Sequence, residues 1–159
     1  MMKKQFCSFY LNRYLLGIEV LLVREIINGI DITPVDGAGE DVTGLLNLRG
    51  QIVTVIDPSV KLGFTRHGKN DSNSIIVLKT EKELEVYRRN GISLQNTSRD
   101  IIGLYIDKID DMVETEESAI LPAPANVDSI DNKYIRGVVK LKETLMTVLK
   151  IDELLKISK

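Results

Sequence analysis

A chain of 159 residues makes one ordinary domain or two very small ones sharing a core, and 43% apolar content argues against wholesale disorder. Its 21 basic and 23 acidic residues, net charge −2, exclude the basic footprint of a nucleic-acid binder. One cysteine, Cys7, and one histidine, His67, exclude an internal disulfide, a multi-cysteine metal site and a multi-histidine one.

The N-terminal Met1-Met2-Lys3-Lys4 mimics the basic start of a signal peptide. The apolar stretch behind it is broken by Asn12, Arg13 and Glu19, with no small-residue cleavage site, and no run is long enough to cross a bilayer. A soluble protein that stays in the cytoplasm is expected, and Cys7 is read as a buried apolar thiol.

Gln5 to Leu11 reads as a strand, with Phe6, Ser8 and Tyr10 on one side and Cys7, Phe9 and Leu11 on the other. Asn12-Arg13 offers a turn into a second run, Tyr14 to Val23, which continues to Ile27 and ends at the turn signal Asn28-Gly29. Ile32 to Val35 is a short extended piece, followed by a Gly-rich loop, Asp36 to Asp41.

Val42 to Asp57 organises the chain. Two apolar runs, Leu45 to Leu48 and Ile52 to Ile56, flank the polar knot Arg49-Gly50-Gln51. The β-branched crowding after Gly50 suits a pleated surface. The reading is a tight hairpin with Arg49 at its tip and Gly50 supplying the positive φ that Arg49 adopts only at a cost. Pro58 ends the second strand, and Lys61-Leu62-Gly63 reads as one helical turn stopped by glycine.

Thr65 to Ser74 turns polar and is the best linker candidate; Ile75 to Leu78 is then a buried strand. Thr80 to Ser98 admits two readings. Thr80 with Glu83 has capping-box spacing, Gly91 would end the helix, and Glu85 would pair with Arg89. The alternation on both sides of Asn90-Gly91 instead favours a hairpin, and a hairpin is expected. Ile101 to Ile109 is a strand with an internal glycine, and Asp110 to Ser118 a solvated turn or edge. Leu121 to Ala125 is held extended by Pro122 and Pro124, and Asn126 to Asn132 is polar loop. Tyr134 to Leu149 returns to strand character before a closing helix at 151–157.

Val42–Leu62 lies over Ile135–Leu155 without a gap: Gly44 meets Gly137, Thr54 meets Thr147, Val55 meets Val148. Upstream, Gly17-Ile18 with Val23 resembles Gly103-Leu104 with Ile109. A unit seen twice fits two similar small β-barrels rather than a solenoid. Gly17, Gly44 and Gly137 are expected as structural turns or bends.

Catalytic signatures are missing. No nucleophile elbow, phosphate-cradling loop or dinucleotide fingerprint occurs. The carboxylates Asp107, Asp110 and Asp111 admit an acid/base reading, hence a remote hydrolase alternative, but no nucleophile or oxyanion donor set accompanies them. A binding module with no metal and no cofactor is the expectation.

The run Gly44-Leu-Leu-Asn-Leu-Arg-Gly-Gln-Ile-Val53 with Val55-Ile56-Asp57 resembles the hallmark of the CheW-type chemotaxis coupling proteins. Ile120-Leu-Pro-Ala-Pro124, followed by Tyr134-Ile-Arg-Gly-Val138, resembles that family's second signature, and the likeness spans nearly the whole chain in order. It implies an all-β fold with a short C-terminal helix: two packed five-stranded SH3-like barrels sharing a hydrophobic core. The implied organisation is one domain over 1–159, with barrels at 12–66 and 74–150 and the strand 5–11 packing with either.

The resemblance further implies a non-enzymatic adaptor joining the cytoplasmic tip of methyl-accepting chemoreceptors to a CheA-type histidine kinase, recruited to receptor arrays at the inner membrane. A same-fold adaptor in gliding, pilus or developmental signalling stays open. The receptor-facing residues it implies are Val23, Glu25, Ile32, Asn47, Arg49 and Gly50; the kinase-facing ones are Gly103, Leu104, Tyr105, Ile106 and Ile109. Glu81 to Ser98 stands out as an insertion between strands that the family joins by a tight turn.

Overall fold

The computed structural model describes residues 3–28, 31–37, 39–64, 73–123 and 130–156. Most of the polar stretch 65–74, including His67, lies outside them, as do Gly29, Pro124, residues 126–129 of the expected polar loop and Ile157, the last residue of the closing helix expected over 151–157.

The described strands are β1 (Lys3–Leu11), β2 (Tyr14–Glu19), β3 (Val23–Asn28), β4 (Val42–Leu48), β5 (Gln51–Ile56), β6 (Ser74–Leu78), β7 (Ile102–Ile106), β8 (Lys108–Glu116), β9 (Ile135–Lys140) and β10 (Leu145–Leu149). Three short helices join them: α1 (Pro58–Leu62), α2 (Glu81–Arg89) and α3 (Ile151–Leu154). The strands form two five-stranded sheets, ordered β8-β1-β2-β10-β9 and β3-β6-β7-β5-β4.

The two orders match term by term, so the duplication is built into the fold. β5 runs parallel to β7, with Val55 opposite Gly103; β10 runs parallel to β2, with Val148 opposite Gly17. Each unit of five strands followed by a helical turn is divided. The first two strands of β1–β5 join the last three of β6–β10 in one sheet, and the reverse holds in the other. The chain is therefore not apportioned between sheets at 12–66 and 74–150. The long run 14–27 breaks at a 3-10 turn, Val20–Leu22, where the chain crosses from one sheet to the other.

Among the described residues, apolar side chains form three clusters. Leu46, Val53, Val55, Ile75 and Val77 fill one sheet's own interior; Phe6, Leu15, Val139, Met146 and Val148 fill the other's. A larger cluster between them takes Phe9, Leu16, Ile76, Leu78, Leu104 and Leu149. β6 shows why some runs are continuously apolar: Ile75 and Val77 face one cluster, Ile76 and Leu78 the other. At about 25 cal/mol per Å², each such buried aliphatic side chain contributes ~1.5–3 kcal/mol.

Residues 81–89 form a helix, not the hairpin that alternation suggested. Thr80 accepts from the Glu83 N–H at 3.4 Å, and Glu83 accepts from the Thr80 N–H at 3.0 Å. Leu84, fully buried, packs into the shared core with Tyr87 one turn on. Alternation in a short polar segment is outweighed by two satisfied donors and one core anchor. Lys79 donates to the Leu21 carbonyl at 2.9 Å, and Arg24 pairs with Glu83, fastening the helix to β3.

Burial opposes ionisation of Glu83 and Glu81, but hydrogen bonds outweigh it. Those from Arg24 and the Thr80 N–H to Glu83, and from the Thr97 N–H and Arg88 to Glu81, hold both below the usual carboxylate range. With depressed folded pKa values, their stabilisation is present above the unfolded carboxylate pKa and is lost as pH falls through the folded values. As pH falls below about 5, α2 amides should lose hydrogen-exchange protection before those of β6 and β7. Glu83→Gln should flatten that dependence. Protection of α2 that stays level through this range in the unaltered protein would contradict the account.

Candidate protein-binding groove

The central hairpin forms as read, with β4 and β5 in register from Leu48 opposite Gln51. The turn differs in one respect: φ is positive at Arg49 (51°) as well as at Gly50 (85°). A two-residue hairpin turn matching the sheet's right-handed twist requires both. An arginine there costs about 1 kcal/mol in backbone strain, and the Gly50 N–H donating to Asn47 Oδ1 at 2.8 Å helps to hold it.

Arg49 donates to Glu25 on β3, and that carboxylate raises the guanidinium pKa through the hydrogen bond and then its charge. β3 and β4 are opposite edges of the ladder, so the sheet curls far enough to bring its ends within side-chain reach. The Arg49 side chain is 68% exposed, leaving much of its planar fork for another molecule.

β3 also borders a groove of about 280 Å³ where the two sheets meet. Val23 and Ile26 of β3 face Ile109 and Met112 of β8, with Cys7 and Val20 lining the floor. The repeat register pairs Val23 with Ile109 and Ile26 with Met112, so the groove sits where the two units meet as equals. Met112 is 62% exposed, the most of any large apolar residue described. Exposed aliphatic surface in a concave setting marks an interaction site. Burial pushes the Cys7 thiol pKa up, in keeping with an apolar rather than reactive role.

The expected site residues separate. Arg49, Glu25, Asn47 and Gly50 come together at the hairpin tip, and Val23 joins the groove. Ile32 packs beneath Gly44 instead. Of the kinase-facing set, Gly103 is buried and Leu104 and Ile106 are fully so, in the central strand of their sheet. Tyr105 packs into that sheet's interior, its hydroxyl bonded by Asn73. Ile109 lines the same groove as Val23. An apolar run that looks adhesive in sequence is here a strand covered on both faces.

Gly17, Gly44 and Gly137 lie inside strands, not at turns. Gly44 does sit at a bulge, against the Thr33 carbonyl and 2.8 Å, by the position of an added Cβ, from Ile32 Cγ2. Gly137 is its counterpart: a Cβ added there would lie 2.7 Å from the Leu121 carbonyl oxygen and from Ile120 Cγ2. Each admits a crossing strand whose bridge, Thr33 to Leu45 or Leu121 to Val138, falls one residue later.

Ile26 and Met112 were not singled out by sequence. The available signal was a methionine amid Asp110, Asp111 and Glu114, an apolar residue in an otherwise solvated strand. Those carboxylates do not converge: Asp107 accepts the Asn12 N–H at 2.6 Å, while Asp110 and Asp111 are exposed along edge strand β8. Among the described residues no group of three or more His, Cys, Asp or Glu side chains is placed to hold a metal ion, and no helix is long and apolar enough to cross a membrane.

Paired look-alike sheets with a shared core and an apolar groove at their junction define a protein-binding scaffold. The family model for the CheW-like domain matches residues 5–159, and the chain belongs to that family, whose members are scaffold proteins rather than enzymes. The chemotaxis protein CheW of Klebsiella aerogenes is 26% identical over 153 residues, 96% of this chain and 81% of that relative. The chemotaxis protein CheW of Thermotoga maritima is 28% identical over 148 residues, 93% of this chain and 85% of that one. The crystal structure of the scaffolding protein TtCheW from Thermoanaerobacter tengcongensis matches with TM-score 0.79 at 25% identity, covering 99% of this chain and 91% of that chain.

Proposed function

We propose that this chemotaxis scaffold couples a chemoreceptor signalling tip to a CheA-type histidine kinase, acting at the cytoplasmic face of receptor arrays. The observation that carries the reading is the junction groove beside the Arg49–Glu25 pair. One strand, β3, supplies Val23 and Ile26 to the groove and Glu25 to the arginine. A receptor helix laid in the groove buries Met112 and Ile26 and presents a carboxylate or main-chain carbonyl to Arg49. The kinase contact belongs to surface outside the buried positions 103, 104 and 106.

A coupling protein biases receptor and kinase states only by binding them unequally. It needs two faces of protein-binding chemistry and no reacting group. Met112→Glu should leave the fold intact, since the side chain is exposed, and weaken binding of a soluble receptor-tip fragment by about 30-fold, as loss of a central apolar anchor does. Unchanged binding by calorimetry would remove the groove from the receptor contact.

A further inference from the structure

The chain segment between β6 and β7 runs from 79 to 101, whereas its counterpart between β1 and β2 is the two-residue turn Asn12-Arg13. After α2 this segment runs back, irregular, past the 3-10 turn at Val20–Leu22 and lays Ile92 and Leu94 along a second groove of about 430 Å³. That groove adjoins the first. Val20 lines both, and their floors lie on one face of the same two strands, Cys7 then Gln5 and Lys3 along β1, Met112 then Glu114 along β8. Cys7 is paired with Met112 and Gln5 with Glu114, so the face is continuous across the boundary.

Resting on the receptor reading above, we propose that the segment after α2 lengthens the junction groove, so that the partner helix extends past Met112 to lie against Ile92 and Leu94. From Cys7 to Lys3 the added floor spans about 13 Å at 3.3 Å per strand residue, which matches about nine residues of helix at 1.5 Å each.

A helix, not an extended segment, is the occupant. β1 is hydrogen-bonded on both sides, to β2 and β8, so that part of the floor offers side chains and no free main-chain donors or acceptors, and only the outer edge of β8 is open. A helix brings its own backbone bonds satisfied, and a strand laid here leaves them open. Charge selects further. Lys4 is held by Glu19 at 2.9 Å and Lys3 by Glu114 at 3.5 Å, whereas Asp110 stands exposed at the groove wall. The complementary helix reaches about two and a half turns beyond what the junction groove alone accepts, aliphatic where it meets Val20, Ile92 and Leu94 and polar over Gln5, Lys3 and Glu114, with a basic residue facing Asp110.

The segment is built to hold that position. Glu81 accepts from the Thr97 N–H at 2.9 Å, Arg88 donates to the Gln95 carbonyl at 2.8 Å, and Gln95 accepts the Ile151 N–H of α3 at 2.6 Å. Its two ends and α3 thus fix the stretch bearing Ile92 and Leu94.

The test measures binding of a receptor-tip helical-hairpin fragment to the full chain carrying Ile92→Glu, with Val86→Glu and Met112→Glu as comparisons. Ile92 is 37% and Val86 55% exposed, so both variants should fold, and only Ile92 faces the groove. The proposal expects Ile92→Glu to weaken binding about five-fold or more and Val86→Glu to leave it unchanged. It also expects Ile92 and Leu94 methyl resonances of the unaltered chain to shift on adding the fragment. Loss with Met112→Glu but none with Ile92→Glu overturns the extension and leaves the receptor reading standing. A fragment that does not bind the unaltered chain overturns both.

Discussion

An Arg49→Glu variant should melt like the unaltered protein and yet lose receptor coupling. The Arg49–Glu25 pair is exposed on the arginine side, where solvent screens it, so thermal stability should barely move. The replacement sets two carboxylates against each other and removes the fork from the docking face. Receptor-tip affinity should fall by about 30-fold, the ~2 kcal/mol typical of a central charged anchor. The backbone supplies a sharper control. Arg49 sits at φ 51°, so Arg49→Gly relieves strain of about 1 kcal/mol while deleting the guanidinium. That variant should be as stable or slightly more so, and as uncoupled. A collapse of the melting temperature in Arg49→Glu, or native affinity in Arg49→Gly, would make the arginine a structural residue.

Gly44→Ala should be the most damaging single methyl in the described structure. An added Cβ would lie on the Thr33 carbonyl and 2.8 Å from Ile32 Cγ2, at a φ of +155° that side chains rarely adopt. Overpacking costs ~1–3 kcal/mol and backbone strain a similar amount, so a loss of about 3 kcal/mol or more is expected from a total of roughly 5–15. Gly137→Ala meets equivalent neighbours without the positive φ and should lose less. Urea unfolding of the pair, with unchanged m-values, measures the difference. Equal losses would mean that the clash alone decides, and that backbone strain at Gly44 contributes nothing.

The hairpin at Arg49, the duplication and the pairing of glycine positions are legible in sequence, because β-branched runs, turn residues and ungapped register are local signals. The exchange of strands between units is not. A strand's partner is set by which apolar face covers which, and that is a property of the closed core rather than of any window. The same limit explains Leu104 and Ile106: a run such as 102–106 reads alike whether it faces water, a partner or a second sheet. Residues 81–89 failed as a hairpin for a different reason. Thr80 and Glu83 carried the right signal, and it was outweighed by alternation too short to build a strand. The groove was half legible. Val23 and Ile109 were named for different partners, and only the fold brings them face to face across one groove.

The central claim is that one molecule of this chain holds a receptor and a kinase together through protein-binding faces. Co-sedimentation of the purified chain with receptor-bearing membranes and a CheA-type kinase tests it most directly. The account predicts that kinase enters the pellet only when the chain is present, and that Met112→Glu and Arg49→Glu leave it in the supernatant. Kinase recovery that ignores the chain, or that survives both substitutions, would contradict it.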